Sequence, residues 1–236
     1  MRSRIYSIIS IPVFGLLYGF TAVIVFCFLI FSWLNPKETR SFFSKTWAKG
    51  VFLIIGKKFR VTGHENIQKD SRYILVANHS SLFDIMAIMS FYPDVSWFGH
   101  ERLLKIPVFG KILKMINYIP FKEPTYTNTK QMMEQLSISS KTKTIAIFPE
   151  GTRTLNGKIA PFFKGFIYLF RSGDLEILPV TLNGFYLLKP KNRSFINFDS
   201  NLEVIIHKPL KRADLIKKSD SDIIETVKTI IESDYH

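Results

Sequence analysis

Cysteine is almost absent. Cys27 is the only one in 236 residues, so no internal disulfide and no Cys-rich zinc site can form. The five histidines are scattered without ligand spacing, and no metal site is expected. No G-x-S-x-G elbow occurs, which argues against an α/β-hydrolase serine. No G-x-G-x-x-G follows a strand, so a dinucleotide site has no support. Gly151 to Lys158 (GTRTLNGK) is one residue too long for a phosphate loop, and Ile159 stands where Ser or Thr is needed. Internal repeats and low-complexity linkers are missing, and an apolar fraction of 47% excludes disorder. Acidic residues are few: 19 against 32 Lys and Arg, a net charge of +13. That excess points to a polyanion, whether nucleic acid, an anionic membrane surface or a phosphorylated substrate.

Charge of either sign is missing from Ile5 to Leu34. A membrane span needs roughly 20 such residues. The run is too long for a secretory h-region and lacks a small-x-small cleavage site. It is also apolar all round, unlike the one-sided stripe of a soluble surface helix. Residues 1–36 are therefore expected to be a membrane segment. Pro12, Gly15 and Gly19 leave open one tilted span or a helical hairpin. Arg2 and Arg4 flank one end; Lys37, Arg40, Lys45 and Lys49 flank the other. The positive-inside tendency then places residues 37–236 on the cytoplasmic side, at a bacterial inner membrane or its equivalent. An anionic membrane surface becomes an expected partner. Nucleic acid does not, since zinc-finger spacing and RNP-type aromatics are missing.

In the body, short β-branched runs alternate with helical periodicity. Strands are expected at Lys58–Val61, Arg72–Ala77, Val95–Phe98, Thr144–Phe148, Ile177–Leu182 and Leu202–Ile206. Helices are expected at Leu82–Phe91, Pro107–Ile116, Asn128–Ser139, Phe162–Phe170 and Ser221–Ser233. The fold class is α/β: a mixed central β-sheet flanked by helices, with an N-terminal membrane-embedded helical segment.

Two stretches carry chemistry. Asn78-His79-Ser80-Ser81-Leu82-Phe83-Asp84 follows a strand and opens a helix. Ser81 and Asp84 have capping-box spacing, which would make Asp84 structural. With His79 just ahead of the helix, Asp84 can instead reach back to one ring nitrogen. The other nitrogen is then free as a base, the His–Asp half of a triad. The second stretch, Phe148-Pro149-Glu150-Gly151-Thr152-Arg153, also sits at a strand's end, where α/β sites gather. It reads either as a plain turn with a Glu–Arg pair or as a phosphate site. In the second case Gly151 allows close approach and Arg153 offers a fork.

H-x4-D followed at a distance by F-P-E-G-T-R resembles the glycerolipid acyltransferase family, the lysophosphatidic acid acyltransferases. Two further blocks agree in order: Ile106-Pro107-Val108-Phe109-Gly110 through Ile119-Pro120-Phe121-Lys122, and Ile177-Leu178-Pro179-Val180. The resemblance spans about Tyr73 to Gly184. It implies a membrane-bound enzyme that moves a fatty acyl chain from acyl-CoA or acyl carrier protein to 1-acyl-glycerol-3-phosphate. The product is phosphatidic acid, and no other cofactor is needed. His79 would be the general base and Asp84 its orienting partner. Glu150, Gly151, Thr152 and Arg153 would lie near the acceptor phosphate, Arg153 touching it directly, with Lys122 helping. Backbone N–H groups near Val180 are the expected oxyanion donors. Attack is direct, without an acyl-enzyme. Imidazole suits the task because its protonation changes near neutral pH.

The resemblance is imperfect at the second block. Lys122 stands where an arginine is usual, and His100 and Glu101 replace a common lysine pair. Lysine keeps the charge but loses the bidentate fork. Another lyso-lipid acceptor, a lyso-ornithine or other aminolipid or a lysophospholipid, is therefore the alternative.

Overall fold

Two long helices come first in the chain. α1 (Arg2–Phe31) is continuous through Pro12, and the chain turns only at residues 32–34 before α2 (Pro36–Ile54). Pro12, Gly15 and Gly19 thus do not break the apolar run. By length and composition α1 can cross a membrane. Only Ser10, Ile24 and Val25 of it are buried, while Ile8, Ile11, Leu16 and Phe26 are exposed. α2 begins as such helices do. Asn35 accepts the N–H of Glu38, and Pro36 occupies the first turn, where its missing donor is harmless. The Trp47 indole N–H donates to Thr21 Oγ1 at 3.0 Å, tying α2 to α1.

The computed structural model describes residues 2–69, 71–121 and 126–236. After α2 come β1 (Phe59–Thr62), β2 (Tyr73–Ala77), α3 (Asp84–Phe91), β3 (Val95–His100), α4 (Phe109–Met115) and β4 (Ile119–Phe121). Then follow α5 (Tyr126–Ser140), β5 (Thr144–Ile147), α6 (Gly165–Ser172), β6 (Glu176–Asn183), α7 (Phe185–Leu188), β7 (Leu202–Ile206), α8 (Arg212–Leu215) and α9 (Asp220–Ser233).

The strands form one mixed sheet in the order β1-β7-β6-β2-β5-β3-β4. All neighbours are parallel except β6 and β7. The central strands are apolar on both faces, and the alternation sorts them into two cores. Tyr73, Leu75, Ala77, Ala146, Leu178, Val180 and Leu182 join the cluster shared with α1 to α4. Ile74, Val76, Ile145, Ile147 and Ile177 join the cluster with α6 and α9. Ile223, Val227 and Ile231 recur at helical spacing and close that second face.

Several boundaries differ from expectation for local reasons. α4 starts at Phe109 rather than Pro107, because Val108 adopts φ +60° and interrupts the turn. α6 starts at Gly165 rather than Phe162; ahead of it the Phe163 N–H donates to the Pro149 carbonyl at 2.8 Å, which ties this segment to the turn after β5. α3 starts at Asp84, so Ser81 is not its N-cap. β4 was not expected from sequence; as an edge strand it tolerates Pro120.

Candidate active site

β2 and β5 are adjacent and parallel, with Val76 beside Ile147. The segments leaving their C-terminal ends therefore emerge side by side, the usual place for a site in an α/β sheet. One carries His79 and the other Glu150. The backbone N–H of His79 donates to Glu150 Oε1 at 2.6 Å, across 71 residues of chain. Thr154 N–H donates to the His79 carbonyl at 2.9 Å. Asn78 joins the first segment to β6: its side chain accepts from Leu182 N–H at 2.8 Å and donates to Leu182 O at 3.0 Å.

His79 Nδ1 lies 2.8 Å from Asp84 Oδ2. The same oxygen accepts the backbone N–H groups of Ser80 and Ser81 at 2.7 and 2.8 Å. Asp84 is fully buried and His79 about four-fifths so. Oδ2 is an acceptor there, so Nδ1 faces it as donor, and in the neutral ring the lone pair is then on Nε2. The two sequence readings of Asp84 thus merge: it holds the helix-entry backbone and the imidazole with one atom. The imidazole also stacks on Phe148, centroids 3.9 Å apart at 11°, and Phe148 stacks on Trp97 at 5.2 Å. The ring is held by a hydrogen bond at one edge and a flat neighbour on one face.

Glu150 is 3% exposed, and Oε2 accepts Ala160 N–H at 2.9 Å. Both its oxygens therefore tie loops together. Burial pushes its carboxyl up to about 7, against the Ala160 and His79 N–H bonds that favour the charged form; Asp84 nearby pushes the same way as burial.

Gly151 has φ +68°, which carries the chain out of its turn. Thr152 is exposed and accepts Lys191 Nζ at 3.2 Å. Arg153 is half-buried, and its guanidinium makes no hydrogen bond or ion pair among the described residues. Burial pulls its pKa below the ordinary range, with Asp84 opposing. Lys122 lies outside the described residues.

Sequence reasoning missed the basic run Lys189-Pro190-Lys191-Asn192-Arg193 after α7. The Lys189 carbonyl accepts Ser81 Oγ at 2.9 Å, docking this loop on the His79 segment. Lys189 Nζ donates to Arg193 O, and Arg193 stacks over Phe195 at 4.9 Å, so these two cations hold the loop. Burial, then Arg153 and Arg193, depress the Lys189 pKa, a mark of crowded positive charge. Of the nearby cations, Lys191 is exposed and Arg153 half-buried. The density of Lys and Arg in five residues was the available signal. One further expectation fails: Val180 pairs with Ala77 on one side and Ile206 on the other, so this mid-strand backbone is not free to bind an oxyanion. Among the described residues no group of three His, Cys, Asp or Glu gathers as metal ligands.

Comparison with known proteins bears on this geometry. The Acyltransferase family model matches residues 58–183. The chain is 27% identical over 214 residues to the chloroplastic 1-acyl-sn-glycerol-3-phosphate acyltransferase BAT2 of Brassica napus, covering 86% of this chain and 62% of that one. It is 33% identical over 159 residues to a 1-acyl-sn-glycerol-3-phosphate acyltransferase of Borreliella burgdorferi, covering 65% and 61%. The chain thus spans about three-fifths of the length of these curated relatives. A crystal structure of the 1-acyl-sn-glycerophosphate acyltransferase PlsC of Thermotoga maritima superposes with a TM-score of 0.78 at 26% identity, over 96% of this chain and 94% of that one.

Proposed function

The chain belongs to the acyltransferase family, and on that premise we propose that it acylates the free hydroxyl of 1-acyl-glycerol-3-phosphate to give phosphatidic acid. The donor is an acyl thioester, acyl-CoA or acyl carrier protein, and no other cofactor takes part. The observation that carries this reading is the 2.8 Å contact between His79 Nδ1 and Asp84 Oδ2, which leaves Nε2 as the base.

Nε2 takes the hydroxyl proton as the oxygen attacks the thioester carbonyl. A C–O bond forms and the C–S bond breaks. The thiolate leaves and recovers the proton from the imidazolium, which Asp84 stabilises meanwhile. A general base of this kind contributes about 10²- to 10⁴-fold. Arg153 and Lys191 hold the acceptor phosphate, the arginine as a bidentate fork and the lysine as a point charge. Glu150 does not meet that phosphate. It positions His79 by holding its backbone N–H. α1 anchors the enzyme in the bilayer where its lipid substrate resides, with the body on the cytoplasmic side.

The test is a transfer assay on the detergent-solubilised chain and on His79→Ala. Labelled acyl-CoA and acyl carrier protein are offered with lysophosphatidic acid, other lysophospholipids and lyso-ornithine lipid. His79-dependent product from lysophosphatidic acid is expected. His79-dependent product from a different acceptor alone would move the enzyme to that lipid, and no product from any pairing would overturn the reading.

A further inference from the structure

A cavity of about 530 Å³ opens between α2, the start of β1 and the end of α3, and no residue of the two catalytic loops lines it. Its charge is of one sign. Lys45, Lys49, Lys57 and Lys58 line it together with His64, and no acidic side chain does. Lys45 and Lys49 stand one turn apart on α2, where like charges repel. Lys57 donates to the Ser200 carbonyl. The ammonium groups of Lys45, Lys49 and Lys58 make no hydrogen bond or ion pair among the described residues.

Apart from Ser90, the rest of the wall is apolar. Phe52 meets Phe59 edge-on at 4.6 Å, and Leu53 beside them is 82% exposed. An exposed leucine between lysines matches a ligand with an anionic head and an aliphatic tail. Such ligands are abundant next door, because α2 packs against α1, the helix able to span a membrane.

We propose that this cavity binds one anionic phospholipid of the surrounding bilayer. Its phosphate lies on Lys45, Lys49 and Lys58, and its first acyl carbons lie on Phe52, Leu53 and Phe59. The site is separate from those of donor and acceptor. It rests on the membrane reading of α1 and not on the transfer reaction, and it would fix how the catalytic loops face the bilayer.

The test is native mass spectrometry of the full chain in detergent with phosphatidylglycerol or phosphatidylcholine added. The wild type is expected to retain one phosphatidylglycerol in preference to phosphatidylcholine. Lys45→Gln with Lys49→Gln should weaken that retention at least about tenfold. Lys217→Gln with Lys218→Gln removes equal charge from the exposed turn before α9 and should leave it unchanged. Lys58→Gln, which lies outside the helix, gives an independent second loss. KM for acyl-CoA and for lysophosphatidic acid in phosphatidylglycerol-free detergent should not move in the α2 variant. Equal retention of the two lipids by the wild type would overturn the proposal, as would equal losses in both double variants. A shift in either KM would assign the cavity to a substrate instead. Should the wild type give no product with any donor and acceptor while retention still depends on Lys45 and Lys49, the transfer reading fails and this site stands.

Discussion

Nδ1 of His79 lies 2.8 Å from Oδ2 of Asp84, an oxygen that also receives two backbone N–H groups. The imidazole is therefore oriented by a group that is itself immobilised by the turn leading into α3. His79→Ala should lower kcat about 10²- to 10⁴-fold while the melting temperature stays near that of the wild type. Asp84→Asn should lower kcat comparably and also cost about 1–3 kcal/mol of stability, because a buried amide N–H is introduced among donors. Turnover assays beside thermal melts separate the two. Full activity in His79→Ala would rule the base out.

Glu150 makes stability depend on pH. Its carboxyl is raised to about 7 in the folded protein, so the native state holds a proton that the unfolded chain releases at lower pH. A raised pKa means stability is full below the ordinary glutamate value and declines as pH rises toward about 7. A tenfold difference in proton affinity between the folded and unfolded chain corresponds to about 1.4 kcal/mol. Glu150→Gln should flatten the melting-temperature profile between those limits. It should also lower the plateau, since one of the N–H bonds from His79 and Ala160 loses its acceptor. An unaltered slope would show that another group sets it.

Arg153 and Lys191 should divide the work of holding a phosphate. Arg153→Ala is expected to raise KM for a phosphate-bearing acceptor about tenfold or more, with Arg153→Lys intermediate. Lys191→Ala removes an exposed, water-screened cation and should raise KM only a few-fold, about the scale of a surface pair. Added salt should shrink the Lys191 effect more than the Arg153 effect. Initial rates against acceptor concentration at two salt levels give both numbers.

Gly184 ends β6 at φ +79°, and a Cβ there would sit 1.7 Å from the Asn201 carbonyl oxygen. Gly184→Ala must displace backbone and should destabilise the fold by more than about 3 kcal/mol. At Gly151 a Cβ would only touch the Phe163 ring at 3.4 Å, so Gly151→Ala should cost about 1–2 kcal/mol, the left-handed penalty alone. Urea titrations of both variants check the ranking, and equal costs would refute it.

Much of this protein is written in local pattern. The charge-free run became α1, and the β-branched runs became strands within a residue or two. The five-residue step from His79 to Asp84 spans one turn, so neighbouring backbone alone brings the two side chains together. The Phe148–Arg153 stretch announced itself by residue type at the end of a strand. All of these features concern residues close in sequence, where spacing translates directly into geometry.

Only the tertiary structure decided which distant segments meet. β2 and β5 are both buried on two faces, so their sequences report burial without naming a neighbour. Their pairing alone brings Glu150 to the backbone of His79 and Phe148 to its ring. The reversal between β6 and β7 is equally silent in the sequence, as is the docking of the Lys189–Arg193 loop on Ser81. Hydrophobic period tells a strand how deep it lies; the closing of the sheet tells it beside whom, and that second fact assembles the site.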